Sequence, residues 1–471
     1  MNDPNGMVYL DGEYHLFYQH YPDSTVWGPM NWGHAVSTDL VSWTLLPIAL
    51  YPDSLGYIFS GSAVVDRHNT AGLQTGDTPA LVAIFTLHDA TRADQIDHQT
   101  QGIAYSNDKG RSWTMYEGNP VLPNPGIRDF RDPKVRWHDE SNQWVMTLAA
   151  FDRIHLYGSP DLKSWRYLSA FGVEEGNHGG VWECPDLFPL ATPDGGTRWV
   201  LLLSINAGAP NHGSGTQYFI GDFDGTTFTN TNPPETELWI DWGRDNYAGV
   251  TWSDVPETDG RRLFLGWMSN WDYAQVVPTE RWRSAMTLPR TLTLAETETG
   301  LQLISAPVKE LEKLRGTPLT LGTTPIDSLV TLDGLADPTQ FELILNLDLA
   351  AGTGDRFGLT LSNEQGAVYR FGYDRANGRL FSDRTNAGHV NFEDSFATGL
   401  HIAPYRAPGP QMRLHFFVDE SSIEVFVDSG RVVMTELFFP EDAFDDVRLF
   451  SENGTTTVTR AEYYPLRSIW N

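Results

Sequence analysis

A short turn motif that recurs through the first half of the chain constrains the fold more than any other feature. The stretches STDLVSW, SNDKGRSW and SPDLKSW end at Trp43, Trp113 and Trp165, and GDFDGTTF, which ends at Phe228, is a weaker copy. Each copy places a turn-forming Asp before an aromatic residue that can pack against the end of a sheet. A repeat of roughly 50–70 residues with several strands per unit is typical of β-propeller blades, and residues 1–294 leave room for five.

The segments between these turns have the pattern of β-strands. Runs such as PALVAIFTLH and RWVLLLSIN are rich in apolar and β-branched residues and are bounded by Gly, Asp, Asn and Pro, whereas helical periodicity is scarce. We therefore predict an all-β fold. Because the chain of 471 residues exceeds the roughly 250–300 residues of a single core, we expect two domains.

The pattern changes after the fifth predicted blade. APVKELEKLRGT predicts one short helix, with Pro307 near its start and Gly316 at its end. Beyond it, YRFGYDRANGRLFSDR predicts a hairpin that turns at Asn377-Gly378, and the later strands fit two sheets packed face to face. The predicted domains are a five-bladed catalytic β-propeller over residues 1–296, a linker with a short helix over 297–324, and a C-terminal β-sandwich over 325–471.

The charge of the chain narrows the range of partners. A formal net charge of −29 repels nucleic acid phosphates and acidic membrane surfaces, so we expect neither partner. The longest apolar runs fall short of the ~20 residues that a membrane span needs. The single cysteine excludes an internal disulfide, and no Cys/His or acidic spacing indicates zinc or calcium, so we predict no metal and no cofactor.

Three acidic residues stand in short, similar stretches of the predicted propeller. MNDPNG contains Asp3, FRDPK contains Asp132 and WECPDL contains Glu183. Alone, each has an ordinary structural explanation, since Asp before Pro forms turns, Asp132 can pair with Arg131, and Glu183 can pair with a buried arginine. Because the innermost strands of all blades line one channel, acids from different blades can also meet at its mouth. Retaining glycoside hydrolysis uses a nucleophilic carboxylate and a protonated acid about 5–5.5 Å apart.

The order of the motifs resembles glycoside hydrolase family 32, the β-fructofuranosidases. MNDPNG, FSGS, RDPK and WECPDL follow one another as in that family, and LGWMSNW and DESSIEVFVD resemble its bacterial levanase, exo-inulinase and invertase branch. The resemblance implies a five-bladed propeller followed by a β-sandwich. It also implies that Asp3 is the nucleophile, Glu183 the general acid/base and Asp132 the transition-state stabiliser. The positions that the resemblance assigns to fructose binding are Asn2, Gln19, Trp27, Phe59, Ser60, Arg131 and Trp271.

We therefore predict a retaining exo-β-fructosidase that releases fructose from levan, inulin or sucrose. Exo-attack is expected because a propeller channel blocked at depth forms a pocket, which admits only a chain end. Four alternatives stay open: a fructosyltransferase with the same site, a propeller glycosidase of the arabinanase type, a sialidase, for which residues 106–113 provide a Ser-Asp box, and a sugar-binding propeller without catalysis. The preferred substrate and the oligomeric state are not predicted.

The cellular location depends on sequence that can precede the printed chain. Members of the family usually have a further segment before the MNDPNG motif. We expect a secreted protein whose signal peptide lies in such a segment, with a cytoplasmic location as the alternative.

Overall fold

The computed structural model describes residues 1–470 and confirms the predicted all-β class. Strands form seven sheets, and the only helices in this range are short 3-10 turns at Ala90–Arg92 and Lys309–Leu314. Neither helix of the described chain is long and apolar enough to cross a membrane. Five sheets form the blades of a propeller, and the other two form a sandwich.

The five blades follow one another along the chain, each with its first strand innermost. The first blade contains β1 (Pro4–Leu10), β2 (Glu13–His20), β3 (Asn31–Ser37) and β4 (Thr44–Leu50). The second contains β5 (Tyr57–Asp66), β6 (Ala80–His88), β7 (Gln99–Ser106) and β8 (Thr114–Met115). The third contains β9 (Phe130–His138), β10 (Gln143–Ala150), β11 (Ile154–Ser159) and β12 (Arg166–Phe171). The fourth contains β13 (Trp182–Ala191), β14 (Thr197–Ile205), β15 (Gly215–Phe223) and β16 (Phe228–Asn230). The fifth contains β17 (Tyr247–Thr251), β18 (Arg262–Met268), β19 (Ala285–Met286), β20 (Arg290–Thr297) and β21 (Gly300–Pro307).

The recurring turn motif connects the third strand of a blade to the fourth. In the first blade, the Asp39 carboxylate accepts hydrogen bonds from the backbone N–H groups of Val41 and Ser42, at 3.1 and 2.8 Å. The indole N–H of Trp43 then donates to the carbonyl of Leu40 at 3.2 Å. Trp113 and Trp165 donate in the same way, each to the carbonyl three residues earlier. The repeat therefore forms the tight turn between the third and fourth strands of these blades.

The ring closes through contact between the first and last blades. The innermost strands β1, β5, β9, β13 and β17 each contact the innermost strands of both neighbouring blades. Backbone hydrogen bonds from Tyr9 to Ser253, 3.0 Å, and from Ser253 to Met7, 2.9 Å, join β1 to the segment after β17. The five inner strands thus enclose one central channel.

The second domain consists of two antiparallel sheets packed over an apolar core. One sheet has the order β22-β34-β25-β30-β31-β32 with β23 paired to β34, and the other has the order β24-β33-β26-β27-β28-β29. Their strands are β22 (Leu319–Leu321), β23 (Thr324–Ile326), β24 (Leu329–Thr331), β25 (Phe341–Asp348), β26 (Arg356–Ser362), β27 (Val368–Asp374), β28 (Arg379–Asn386), β29 (His401–Pro404), β30 (Gln411–Asp419), β31 (Ser422–Val427), β32 (Val432–Leu437), β33 (Asp446–Glu452) and β34 (Thr456–Pro465). The hairpin predicted at Asn377-Gly378 joins β27 to β28.

The segment assigned to the linker, 297–324, contains more strand than the sequence indicated. Strand β21 pairs with β20 along its whole length, so the fifth blade extends to Pro307 rather than 296. The 3-10 turn at Lys309–Leu314 lies where the short helix was expected, and β22 already pairs with β34 of the sandwich. The difference arises because β21 is half exposed, so its weak apolar alternation resembles a connection.

The two domains share a buried, charged interface. The backbone N–H of Trp242 in the propeller donates to the carbonyl of Val433 in β32 at 2.8 Å. The fully buried Arg290 pairs with Asp241 of the propeller at 3.0 Å and with Glu424 of the sandwich at 2.6 Å. Removing one partner from such a buried set costs roughly 3–5 kcal/mol, so these contacts fix the sandwich against the propeller.

Candidate active site

A small cavity of about 60 Å³ lies at the end of the channel where the inner strands begin. All ten residues predicted from the sequence line this cavity, together with Met30, which no sequence motif marked. They are Asn2, Asp3, Gln19, Trp27, Phe59, Ser60, Arg131, Asp132, Glu183 and Trp271. Residues from four blades and from the segment after β18 therefore converge at one mouth of the channel.

Each of the five inner strands has a β-bulge beside this cavity. Two residues oppose one residue of the partner strand at Gly6-Met7, Phe59-Ser60, Asp132-Pro133, Cys184-Pro185 and Ala248-Gly249. In four of the strands the first bulge residue has a left-handed backbone, with φ of 56° at Gly6, 65° at Asp132, 48° at Cys184 and 52° at Ala248. A bulge bends the strand and changes the direction of its side chains, and bulges are frequent next to active sites.

The bulges explain how neighbouring residues can line the same cavity. Successive side chains of a regular strand point to opposite faces, so only one of Arg131 and Asp132 would reach the channel. Both line it, as do the neighbours Phe59 and Ser60. A bulged inner strand can therefore place two neighbouring side chains in the cavity.

Asp3 lies immediately before β1 and has one carboxylate oxygen held and one unpaired. The hydroxyl of Ser60 donates to Oδ2 at 2.8 Å, whereas the buried Oδ1 has no hydrogen-bond partner among residues 1–470. Burial raises the pKa of Asp3 to about 6, with the Ser60 hydrogen bond opposing the shift and the Glu183 charge adding to it. Burial in the folded chain therefore disfavours the ionised form of Asp3.

Asp132 is the most enclosed of the three acids. The backbone N–H of Cys184 donates to its Oδ2 at 3.1 Å, and the Cys184 Sγ lies 3.7 Å from the same oxygen and 3.9 Å from Oδ2 of Asp3. Burial raises the pKa of Asp132 to about 7; the Arg131 charge opposes this shift, and the charges of Glu183 and Asp3 add to it. Cys184 is thus a small buried contact between two carboxyl groups.

Glu183 is held by a hydrogen-bonded chain around the channel. Arg131 donates to its Oε1 from Nε and Nη2, at 3.0 and 2.9 Å, and the hydroxyl of Tyr247 is hydrogen bonded to Oε2. The arginine pairing that the sequence left open is therefore present, inside the cavity. The apolar neighbour Trp182 points away from it into the blade core, because side chains alternate along β13.

Tyr247 also belongs to the candidate site, through its hydrogen bond to Glu183, although no sequence motif marked it. The residue directly before the bulge is Arg131 in β9, Glu183 in β13 and Tyr247 in β17. The signal was present in the sequence, since Ala248-Gly249 takes the place of the Asp-Pro and Cys-Pro pairs. A small residue and a glycine suit a left-handed bulge as well as those pairs do.

Aromatic rings form the apolar walls of the cavity. Trp27 packs edge-to-face against Phe59 with ring centroids 6.0 Å apart, and Phe59 stacks on His88 at 4.2 Å. On another side, Trp271 packs against Trp267 at 4.9 Å. Trp27 is 41% exposed, so it stands at the rim, where its backbone N–H donates to Gln275 at 2.8 Å. Such walls suit the apolar face of a sugar ring.

Two family models account for nearly the whole chain. The model described as "Glycosyl hydrolases family 32 N-terminal domain" matches residues 1–307, and "Glycosyl hydrolases family 32 C terminal" matches residues 310–465. The chain belongs to glycoside hydrolase family 32. The resemblance inferred from the motifs is thereby confirmed, and the protein is a glycoside hydrolase.

Relatives within family 32 include named fructan-degrading enzymes. A levanase of Bacillus subtilis (strain 168) is 50% identical over 478 residues, which cover 100% of this chain and 69% of the levanase. An extracellular exo-inulinase of Aspergillus awamori is 38% identical over 507 residues, covering 100% of this chain and 93% of that protein.

Solved structures of family 32 share the fold. A crystal structure of exo-inulinase from Aspergillus awamori superposes with a TM-score of 0.91 at 36% identity, covering 100% of this chain and 96% of that one. A β-fructofuranosidase of Schwanniomyces occidentalis, complexed with fructosyl-erythritol, gives 0.90 at 31% identity and covers 99% and 95% of the two chains. The predicted propeller followed by a β-sandwich is therefore confirmed.

Proposed function

We propose that this family 32 enzyme is a retaining exo-β-fructosidase that removes terminal β-D-fructofuranosyl units from fructans and sucrose. The observation that carries the proposal is the meeting of Asp3, Asp132 and Glu183, each from a different blade, in one cavity with the seven predicted fructose-binding residues. The names of the levanase and exo-inulinase relatives support fructans as the substrate class.

In the proposed mechanism, Oδ1 of Asp3 attacks the anomeric carbon of fructose while Glu183 gives its proton to the departing glycosidic oxygen. The bond to the leaving sugar breaks and a fructosyl ester forms on Asp3. Glu183, now ionised, takes a proton from water, which attacks the same carbon and releases Asp3. Asp132 accepts hydrogen bonds from the fructose hydroxyls, and these strengthen as positive charge develops on the ring.

Arg131 and Tyr247 would keep Glu183 in position through both of its protonation states. Arg131 donates two hydrogen bonds to Oε1 of Glu183, so Oε2 is the oxygen that would carry the transferred proton. The Tyr247 hydroxyl can donate to an ionised Oε2 or accept from a protonated one, since a phenol does both. The orientation of the acid therefore does not depend on where the proton is.

Exo-attack follows from a polar layer that crosses the channel below the cavity. Oδ2 of Asp186 in β13 accepts from the backbone N–H and the hydroxyl of Thr251 at 2.7 and 2.8 Å. Lys134 of β9 is hydrogen bonded to the Thr251 carbonyl and lies 3.5 Å from Asp186. A cavity closed at this depth would accept one terminal sugar and not an internal unit of a polymer.

The proposed role of Asp3 predicts the acid limb of the pH profile. The nucleophile must be ionised, and burial raises the pKa of Asp3 to about 6, so kcat/KM should fall at least about tenfold per pH unit below about pH 6. Ser60→Ala removes a donor to the ionised carboxylate and should move this limb to higher pH. Ser37→Ala, which removes a hydroxyl from an outer turn, is the matched control. An acid limb at the same pH in the Ser60 variant would contradict the assignment.

We also predict that catalysis needs no metal. Within residues 1–470, no group of three or more His, Cys, Asp or Glu side chains is arranged to hold a metal ion. Dialysis against a chelator should leave kcat/KM for sucrose unchanged. A loss of rate that calcium restores would contradict this prediction.

Stereochemistry and product analysis test the proposed function. Digestion of sucrose, inulin and levan in the presence of methanol should yield free fructose and methyl β-D-fructofuranoside, because retention preserves the β configuration. The α-methyl product would indicate an inverting mechanism of the arabinanase type. Sugars longer than the substrate as the main products would indicate a fructosyltransferase.

We propose secretion as the location of the enzyme. The Aspergillus awamori relative is named as extracellular, and a polymer such as levan is degraded outside the cell that imports its sugars. Detection of the activity in the culture medium of the source cells, rather than in washed cells, tests the location.

A further inference from the structure

A second and larger cavity lies at the opposite end of the propeller channel. It has a volume of about 530 Å³ and opens between the far ends of β5, β9 and β13 and the segment after β17. We call it the far cavity; the charged residues that line it include Arg67, Lys134, Arg136, Asp186, Asp254 and Arg262. Two exposed acids, Asp139 and Glu257, also line it, as does Arg261, which is paired with Asp259 and Glu310.

The far cavity is separate from the candidate active site. Within residues 1–470, no residue lines both cavities. The hydrogen-bonded layer of Lys134, Asp186 and Thr251 lies between them along the inner strands, since Lys134 follows Asp132 in β9 and Asp186 follows Glu183 in β13. A molecule in the far cavity would therefore contact none of the groups assigned to fructose.

The buried acids of the far cavity already have partners. Oδ2 of Asp254 accepts from the backbone N–H of Val65 at 2.9 Å, and its Oδ1 lies 3.6 Å from Arg67. Asp186 accepts two hydrogen bonds from Thr251 and lies 3.5 Å from Lys134. Each carboxylate therefore already lies beside one cation, Arg67 or Lys134, and the Asp186 charge also acts at longer range on Arg136 and Arg262.

Two arginines of the far cavity have no carboxylate partner among residues 1–470, since neither Arg136 nor Arg262 forms an ion pair there. Arg136 makes one long hydrogen bond, 3.4 Å to the Leu187 carbonyl, and its guanidinium lies 4.7 Å from the Trp199 ring centroid. Its buried Nε has no hydrogen-bond partner in the described chain. Arg262 also makes one long hydrogen bond, 3.4 Å to the Trp252 carbonyl.

The Arg262 charge acts on two other cations of the far cavity, Arg136 and Lys134. Burial, followed by the Arg262 charge, lowers the pKa of Arg136 to about 10. Burial also lowers the pKa of Lys134, and the Arg262 charge contributes to that shift. The charges of Asp186 and, more weakly, Asp139 oppose the lowering of the Arg136 pKa, and that of Asp186 opposes the lowering of the Arg262 pKa, but no carboxylate among residues 1–470 lies within 4.0 Å of either guanidinium group. Unpaired charges in a half-buried cavity are unfavourable unless an anion accompanies them.

We propose that the far cavity binds a small dianionic oxyanion of the phosphate class, held by the guanidinium groups of Arg136 and Arg262. The planar fork of arginine matches the spacing of two oxygens on such an anion, and each contact is strengthened by charge. Two unpaired arginines balance a dianion, whereas a monocarboxylate would leave one of them uncompensated. Lys134 adds a positive charge from the floor of the cavity.

Calorimetric titration of the whole protein with inorganic phosphate, at pH 7.5 and at an ionic strength held constant with sodium chloride, tests the proposal. We expect saturable binding of one phosphate per chain. Arg136→Gln and Arg262→Gln should each weaken it by about tenfold or more, the usual worth of one charge-assisted contact. Arg198→Gln, which removes a surface arginine paired with Asp222 at 3.2 Å, should leave it unchanged.

Thermal melting separates a binding role from a merely structural one. Phosphate should raise the melting temperature of the wild type and have little effect on Arg262→Gln. In phosphate-free buffer, Arg262→Gln should be at least as stable as the wild type, because it removes an unpaired charge. If a glutamine variant fails to fold, Arg136→Lys keeps the charge but loses the fork and should still weaken phosphate binding. Binding that does not saturate, equal binding of acetate, or equal phosphate affinity in the arginine variants would overturn the proposal.

Discussion

Asp3→Asn is expected to lower turnover of sucrose and fructans by on the order of 10⁴-fold or more, the scale of loss when a covalent nucleophile is removed. An amide of the same shape cannot form the fructosyl ester. Asp3 lies outside the strands, and its Oδ1 has no hydrogen-bond partner in residues 1–470, so the loss should not come from unfolding.

The same variant should be at least as stable as the wild type above pH 6. Burial raises the pKa of Asp3 to about 6 from 3.8, so the folded chain holds this proton more tightly than the unfolded chain does. The ionised carboxylate therefore costs stability as the pH rises from about 4 to about 6, and the full cost, up to about 3 kcal/mol, remains at higher pH. Asparagine removes that cost at pH 8 and changes little at pH 4.

Melting curves and rates at both pH values check this prediction. Asp11→Asn, on the same blade but exposed and paired with Lys109, is the matched control and should retain activity and stability. An Asp3→Asn enzyme that melts well below the wild type at pH 8 would point to a structural role. Activity above about a hundredth of the wild-type rate would exclude Asp3 as the nucleophile.

Glu183→Gln should lower kcat/KM for sucrose and fructans by about 10²–10⁴-fold, the usual worth of a positioned proton donor. The loss should depend on the leaving group, because a glutamine keeps the shape of the side chain but cannot donate a proton. A nitrophenyl β-fructofuranoside, whose leaving group needs no proton, should still transfer fructose to Asp3. The fructosyl ester should then accumulate, since the base that activates water is also missing.

An external nucleophile distinguishes this role from simple damage to the site. Azide attacks without base catalysis, so it should restore turnover of the activated substrate by Glu183→Gln and yield a fructosyl azide. Glu174→Gln, an exposed residue before the same strand, provides the control. Near-normal sucrose hydrolysis, or an equal loss on both substrates, would contradict the assignment of Glu183.

The fold was predictable where local chemistry determines it. The turn that ends at Trp43 forms because Asp39 accepts hydrogen bonds from the next backbone N–H groups, and such contacts depend on neighbours in sequence alone. The same device repeats in the next two blades, so the propeller could be inferred from spacing. The convergence of Asp3, Asp132 and Glu183 followed from that inference, because inner strands share a channel.

Contacts between distant segments were not predictable in the same way. Tyr247 meets Glu183 across 64 positions of sequence, and the bulge that places it begins with an alanine rather than with an acid. The predicted end of the propeller, residue 296, excluded strand β21, because that strand is half exposed and its apolar pattern is weak. The far cavity has no sequence motif, since Arg136 and Arg262 are ordinary in sequence and are unusual only in forming no ion pair among residues 1–470.

Time-resolved chromatography of levan and inulin digests distinguishes exo-attack from internal cleavage. A cavity closed below by the Lys134–Asp186–Thr251 layer accepts only a chain end. With exo-attack, free fructose should be the first product and polymer size should decline slowly. Mid-length oligosaccharides in the earliest samples, with a rapid fall in polymer size, would show internal cleavage and would contradict it.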